Sequence, residues 1–380
     1  MSRIITVTSG KGGVGKTNIS VNLALYLADE GYRTCLFDAD MGLANIDILL
    51  GIYPELSLED VILEKKKISE IIIKNYMGID IIPGSSGIQR MADPRSEEIY
   101  LLVNALSELD NYDFLIIDTS AGISKNVVSF CMASPEIIVV VTTEPTSLTD
   151  AYSLLKILSL NGFKGSVMVA VNQCRNMEIS GLVFSKFKAT VEKYLPLKIQ
   201  PIGSILIDAH VADAVRKQKP FISLYPNSNA AKGIKNIGRY LMKKDPAEFA
   251  GYGLKTFWSK CFKFFTDPLQ LTVSKTVNKK QVPDKGIKGK NHTSELKSDK
   301  EKEDSHGTEA LILPPKEPVV SKEETKKEAD LQDIFLILEK FNQGISSISS
   351  ELSAIRSIME KGYMNPEHDH KRGQSYTDRS

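Results

Sequence analysis

Eight residues constrain this chain more than any others: Gly10-Lys11-Gly12-Gly13-Val14-Gly15-Lys16-Thr17, set between an apolar run at 4–8 and a helical stretch at 18–28. Glycines at this spacing let successive backbone N–H groups turn inward, and a helix starting at once adds its partial positive charge at the same point. Between a strand and a helix, such a loop cradles phosphate oxygens. Lys16 reaches the terminal phosphates, the Thr17 hydroxyl can ligate magnesium, and Asn18 opens the helix beside them. A triphosphate with Mg²⁺ is the expected ligand.

The rest of residues 1–245 alternates strands with helices. Short β-branched or apolar runs stand at 4–8, 34–37, 79–82, 114–117, 137–141, 167–171 and 199–205. Runs as uniformly apolar as Ile137-Ile138-Val139-Val140-Val141 suit strands covered on both faces. The expected fold is α/β, a doubly wound and mostly parallel sheet in one domain over 1–245. Composition mainly excludes. With 48 Lys plus Arg against 47 Asp plus Glu, a net charge of +1 gives no whole-chain attraction to nucleic acid or lipid. Cys35, Cys131, Cys174 and Cys261 are far apart, with no C-x-x-C pair, which argues against zinc, iron-sulfur or disulfide frameworks and for a cytoplasmic setting. The first apolar run is too short for a secretory signal, and none approaches the ~20 residues that cross a bilayer.

Gly10, Gly12 and Gly15 also spell G-x-G-x-x-G, with Asp38 ending the second strand where a ribose-binding acid stands in NAD sites. Glycines alone leave that rival open. Against it, Lys16-Thr17 supplies phosphate and magnesium chemistry that such a site does not need, and a second acid, Asp118, ends the run Phe114-Leu115-Ile116-Ile117. Asp118 is expected to hold magnesium through a water, its bland alternative being a turn acid. The small residues Thr119-Ser120-Ala121-Gly122 that follow can lie close to a terminal phosphate and move when it leaves.

The second lysine of the loop, Lys11, is the mark of the deviant Walker A ATPases, and over about residues 3–245 the chain resembles that MinD/ParA family. Asp38-Ala39-Asp40-Met41-Gly42-Leu43-Ala44-Asn45-Ile46-Asp47 is similar to its switch I, and residues 118–124 to its switch II. The segments at 79–87 and 144–152 are closer to the FlhG subgroup than to MinD or ParA. The resemblance implies ATP and Mg²⁺ as ligands and slow, partner-stimulated hydrolysis in an ATP-dependent homodimer. It implies that Lys11 crosses the dimer interface to the partner's phosphates while Lys16 holds those of its own subunit. Asp40 would orient the attacking water and Asn45 sense the γ-phosphate, their bland alternative being surface loop residues. Asn172 and the segment at Ile207-Asp208 resemble the adenine-recognising positions, although an Asn ending a strand is also a common turn residue. The flagellar GTPase FlhF is an implied partner. FlhG proteins stimulate it through an N-terminal D-Q-A-x-x-L-R segment, and because this sequence opens on its first strand, stimulation by that route is not expected.

Beyond residue 245 the character changes. Leu254, Phe257, Trp258, Cys261, Phe262 and Phe265 share one face of a helix, with Lys255, Lys260 and Lys263 toward the other. At 253–266 this suits an amphipathic membrane-targeting helix, giving reversible peripheral association with the cytoplasmic membrane. Its plain alternative is a terminal helix packed on the core. Residues 271–330, rich in Lys, Glu, Ser and Pro, read as a disordered linker. The heptad spacing from Leu331 to Met359 reads as a helix over 331–360 that self-associates or docks a partner, and 361–380 as a frayed tail. A different function class is a ParA-like positioning factor that binds DNA through Lys232, Lys235, Arg239, Lys243 and Lys244, a stripe whose bland reading is a solvated helix face. A third is a scaffold that binds ATP and barely hydrolyses it.

Overall fold

In the computed structural model the described residues are 2–40, 45–63, 65–84, 96–107, 109, 111–243, 253–267 and 269. The chain divides into two units, and everything described belongs to the unit comprising 1–273 and 330–380. The linker, heptad helix and tail expected at 271–380 lie outside the described residues, as do Met41 to Ala44 and Lys244.

Eight strands form one sheet: β1 (Arg3–Ser9), β2 (Thr34–Ala39), β3 (Ile73–Tyr76), β4 (Ile79–Ile82), β5 (Phe114–Ala121), β6 (Glu136–Val141), β7 (Ser166–Cys174) and β8 (Ile199–Leu206). Their spatial order is β3-β4-β2-β5-β1-β6-β7-β8. Every pairing is parallel except β3 with β4. All seven expected strands are present. The eighth, β3, escapes pattern reading because it is four residues long with Lys74 and Asn75 exposed, and it is a hairpin partner closed by Asn75, Met77 and Gly78, all at positive φ.

Alternation along the central strands explains the layering, since successive side chains point to opposite faces. Ile5, Leu36, Ile116, Ile138 and Met168 meet α1 (Lys16–Asp29) and α11 (Asn229–Met242) on one face. On the other face, Ile4, Phe37, Leu115 and Ile117 meet α5 (Ser96–Ser107), α6 (Lys125–Ala133) and α12 (Leu254–Thr266). Further along that second face, Ile137, Val139, Val167 and Val169 pack under α7 (Pro145–Leu160) and α8 (Met177–Tyr194). The chain winds from β1 first toward β2 and later toward β6 to β8, so the crevice at the carboxyl ends of β1 and its neighbours is a topological switch point, where open α/β sheets bind ligands.

The helix expected to face lipid is packed on the core in this structure. Leu254, Phe257, Trp258, Cys261, Phe262 and Phe265 are all at most 5% exposed, and Lys255 and Lys263 face outward. Trp258 lies edge-on to Phe37 at 5.5 Å between ring centroids, and Phe265 edge-on to Phe130 at 5.6 Å. The apolar stripe seen in the sequence is real, and the groove between α5 and α6 covers it. Trp258 Nε1 finds no hydrogen-bond partner there among the described residues. No described helix is long and apolar enough to cross a membrane.

Candidate active site

The loop from Gly10 to Gly15 leaves β1 and enters α1 with backbone that only glycine supplies at two points. Gly15 stands at φ 90°, and a Cβ there would meet Asn172 Nδ2 at 2.5 Å. A Cβ on Gly10 would overlap the backbone of Asp150 and Ala151 at 2.1–2.4 Å, so the loop seats directly on α7. Lys16, first residue of α1, is 8% exposed. Burial lowers its pKa, and Asp118 and Asp40 pull it back up.

Parallel register sets the acids. Asp118 of β5 stands level with Val7 on one side and Asp38 on the other, so two carboxylates are neighbours at the strand tips. Asp118 is fully buried and accepts from Thr17 Oγ1 at 2.7 Å and from Ser20 Oγ at 2.7 Å. Burial raises its pKa to about 6 against the opposing pull of those hydroxyls and Lys16. Burial, and then Asp118, pushes Asp38 to about 8. Two buried acids beside one buried lysine would carry an excess of negative charge if both ionised, and each therefore holds its proton above the ordinary carboxylate range. A small divalent cation held by a hydroxyl, phosphate oxygens and waters fits that excess, and no described cluster of three His, Cys, Asp or Glu offers an all-protein metal cage. Asp38 is 1% exposed and accepts from the backbone N–H groups of Asp40 and Ile46, so its carboxylate is directed into the protein and not toward a ribose.

Beside the loop lies a cavity of about 580 Å³ lined by Gly13, Gly15, Asn18, Asn172, Ile207 and Asp208, among others. Asn172 ties β7 to the loop: its Nδ2 donates to Val14 O at 2.7 Å and its Oδ1 accepts from Gln173 N at 2.8 Å. Asp208, in the segment expected to meet adenine, lines this cavity. It is the N-cap of α9 (Ala209–Arg216), its Oδ1 accepts from His210 N and its Oδ2 from Ala230 N, both at 3.0 Å. Ile207 and Asp208 both line the cavity, the carboxylate also holding the start of α9 and the backbone of Ala230.

Asp40 and Asn45 are brought together, Asn45 Nδ2 donating to Asp40 Oδ2 at 2.8 Å. Lys11 stands apart from Lys16, its side chain 36% exposed at the rim, with Nζ 2.5 Å from Glu144 Oε2 and 2.9 Å from Thr146 Oγ1. Val14 is buried, and Gly12 and Gly13 meet nothing that a Cβ would touch. Four participants went unread in the sequence. Ser20 could have been found, being three residues from Thr17 on one helix face. Glu144 and Thr146 stood inside a recognised segment without a role. Gln173, at φ 55° with Nε2 3.5 Å from Gly13 O, left no signal.

The geometry agrees with comparisons to known proteins. A family profile described as an AAA domain matches residues 2–162. The antiactivator FleN of Pseudomonas aeruginosa is 40% identical over 238 residues, covering 62% of this chain and 85% of FleN. The flagellum site-determining protein YlxH of Helicobacter pylori is 31% identical over 277 residues, covering 69% of this chain and 90% of YlxH. A chain of the MinC:MinD cell division protein complex of Aquifex aeolicus superposes with a TM-score of 0.52 at 25% identity, over 64% of this chain and 97% of that one. With its P-loop, its paired lysines and a sheet of this order, the chain belongs to the MinD/ParA family of P-loop ATPases, in the FlhG subgroup.

Proposed function

We propose that this chain is an ATPase that pairs with a second copy around ATP, associates reversibly with the cytoplasmic membrane and acts as a spatial switch for flagellar number or placement. The observation that carries the reading is the contrast between two lysines of one loop. Lys16 is buried beside Asp118 and Asp40, where it serves the phosphates of its own subunit. Lys11 is held at the rim by Glu144 and Thr146, where a modest rotation carries it toward an apposed partner. Positive charge supplied across an interface to a transferring phosphoryl group accelerates hydrolysis by ~10³–10⁵. Hydrolysis is then slow in the single chain and depends on pairing.

Thr17 and Asp118 would hold Mg²⁺, which supplies charge neutralisation at the phosphates. Asp40 orients the attacking water, Asn45 senses the γ-phosphate beside it, and Asn172 with the segment at Ile207-Asp208 meets the adenine. FleN and YlxH, by name an antiactivator and a flagellum site-determining protein, support the flagellar reading. The flagellar GTPase FlhF or a flagellar regulator is the corresponding partner.

Membrane association has a structural condition. The apolar face of α12 is inside the core, so the helix must leave its groove before it meets lipid. Five large side chains, at about 1.5–3 kcal/mol each, hold it there, and a bilayer interface buries the same side chains again, so exchange between the two is near balance while simple exposure is not. Two helices on one ATP dimer adsorb together more tightly than either alone.

A second reading follows α11, where Lys232, Arg239 and Lys243 are exposed and Lys235 is half-buried along one side. Such a stripe suits the phosphate backbone of DNA, and salt-sensitive, ATP-dependent DNA binding would favour this reading over the membrane.

Light scattering on the full chain with a non-hydrolysable ATP analogue and Mg²⁺ should show a dimer. Asp40→Ala should sediment with anionic vesicles in ATP, and Lys16→Ala should stay in the supernatant. A chain that remains monomeric with saturating analogue, or equal sedimentation of both variants, overturns the reading.

A further inference from the structure

Asp38 is unusual among the acids of this site because nothing assigned to the reaction uses it. It is the penultimate residue of β2, is 1% exposed, and directs its oxygens at the backbone of Asp40 and Ile46. Oδ1 accepts from Asp40 N at 3.0 Å and Oδ2 from Ile46 N at 3.3 Å. One side chain therefore holds both Asp40 and Ile46.

The second grip has a consequence for Asn45. Asn45 is the N-cap of α2 (Ile46–Leu50), a position whose side chain usually accepts from an N–H of the first turn. Here it makes no such bond; its backbone is at φ −102°, ψ −23°, and Asp38 takes the first N–H of the helix in its place. The Asn45 amide is thereby available to donate to Asp40 Oδ2 at 2.8 Å. Behind Asp38 there is no room to retreat: a Cβ on Gly84 would stand 2.9 Å from Asp38 Cγ and 2.9 Å from its carbonyl oxygen. A buried carboxyl group clamped from behind, with an N–H on each oxygen, fixes Asp40 and Ile46 relative to β2.

We propose that Asp38 is a positioning residue: by capping α2 in place of Asn45 and fixing the amide of Asp40, it sets the Asp40–Asn45 pair in the arrangement from which they meet water and the γ-phosphate. The proposal rests on the role given to Asp40 above. It differs from a general stabilising role, because the affected quantity is turnover and the affected residues are two.

The test is steady-state turnover of the full chain with ATP and Mg²⁺, comparing Asp38→Asn, Gly84→Ala, Asp40→Ala and the double variant of Asp38→Asn with Asp40→Ala. Asparagine keeps the shape but offers an acceptor to only one of the two N–H groups. Asp38→Asn should lower kcat by about 10²-fold, the scale of a misplaced catalytic pair, while KM for ATP and ADP affinity move less than about threefold. The double variant should be no slower than Asp40→Ala alone, since residues acting as a unit are not additive. Gly84→Ala, pressing on Asp38 from behind, should lower kcat in the wild-type background and leave Asp40→Ala unchanged.

Wild-type kcat in Asp38→Asn, or a full additive loss in the double variant, overturns the proposal. Should Asp40→Ala itself keep the wild-type rate, the role of Asp40 fails and the clasp is judged by amide exchange. Asp38→Asn should then speed exchange at Asp40 and Ile46 at least about tenfold relative to amides of β5. Unchanged exchange overturns it.

Discussion

The two ends of the same sheet bury charge in opposite ways. At the amino end of β1, Arg3 meets Glu136 at 2.6 and 3.0 Å, donates to Leu241 O at 2.5 Å and lies over the Phe114 ring at 5.7 Å. One positive and one negative group, 8% and 0% exposed, face each other there. At the carboxyl end, Asp38 and Asp118 stand with Asp40 around Lys16, and burial raises the pKa of both buried acids. That matched pair joins β1, β6 and the end of α11. An unbalanced cluster is where a phosphate and a cation find work.

That contrast can be broken from either end. The largest effect should come from Glu136→Ala, which strands a buried guanidinium: urea unfolding should show a loss of about 3–5 kcal/mol with little change in the ATP KM of the folded fraction. A loss under about 1 kcal/mol would show that the amino end is not held by charge.

Next in size is the pH dependence of the nucleotide-free protein. In the unfolded chain both acids release protons near their ordinary value of 3.8, while in the fold they hold them up to about 6 for Asp118 and about 8 for Asp38. Between these limits the folded state binds more protons. Stability is therefore greatest below about pH 4 as far as these two groups are concerned, and is lost as pH rises through 6 and then 8. Thermal unfolding should show this fall, Asp38→Asn should remove its upper part, and calorimetry in buffers of differing ionisation heat should detect protons released when Mg²⁺ and ADP bind at pH 7. No release, and no fall, would mean that the two acids share their charge with something closer than Lys16.

The smallest effect belongs to the rim. Lys11 and Glu144 are 36% and 59% exposed, so water screens their pairing to a fraction of a kcal/mol up to about 1 kcal/mol. Glu144→Gln should shift the ATP concentration for dimerisation downward by at most about fivefold, and a larger shift would place Glu144 among the buried machinery.

Much of the site was legible before the fold, because its signals are local. Gly10 to Thr17 carry their own backbone requirements, and Asp118 is marked by the apolar strand it ends. The residues that escaped are joined to it by distant chain. Glu144 meets Lys11 across more than a hundred residues, and nothing near Glu144 announces the lysine. Asp208 was read as a base contact because its segment resembles one. Its carboxylate also meets Ala230 N, twenty-two positions later, a bond that no local signal announces.

The sequence by itself determined a parallel α/β sheet, the phosphate loop and the acid level with it, since periodicity and turn chemistry act over a few residues. It also determined that Leu254 to Phe265 must bury one face, because apolar residues at helical spacing have that requirement in any setting. What covers that face was decided by tertiary structure alone: α5 and α6 leave a groove lined by Leu102, Leu106 and Phe130, and the helix fills it. Hydrophobic burial has no direction and no preferred partner, so a stripe states a need and the packed molecule supplies the answer.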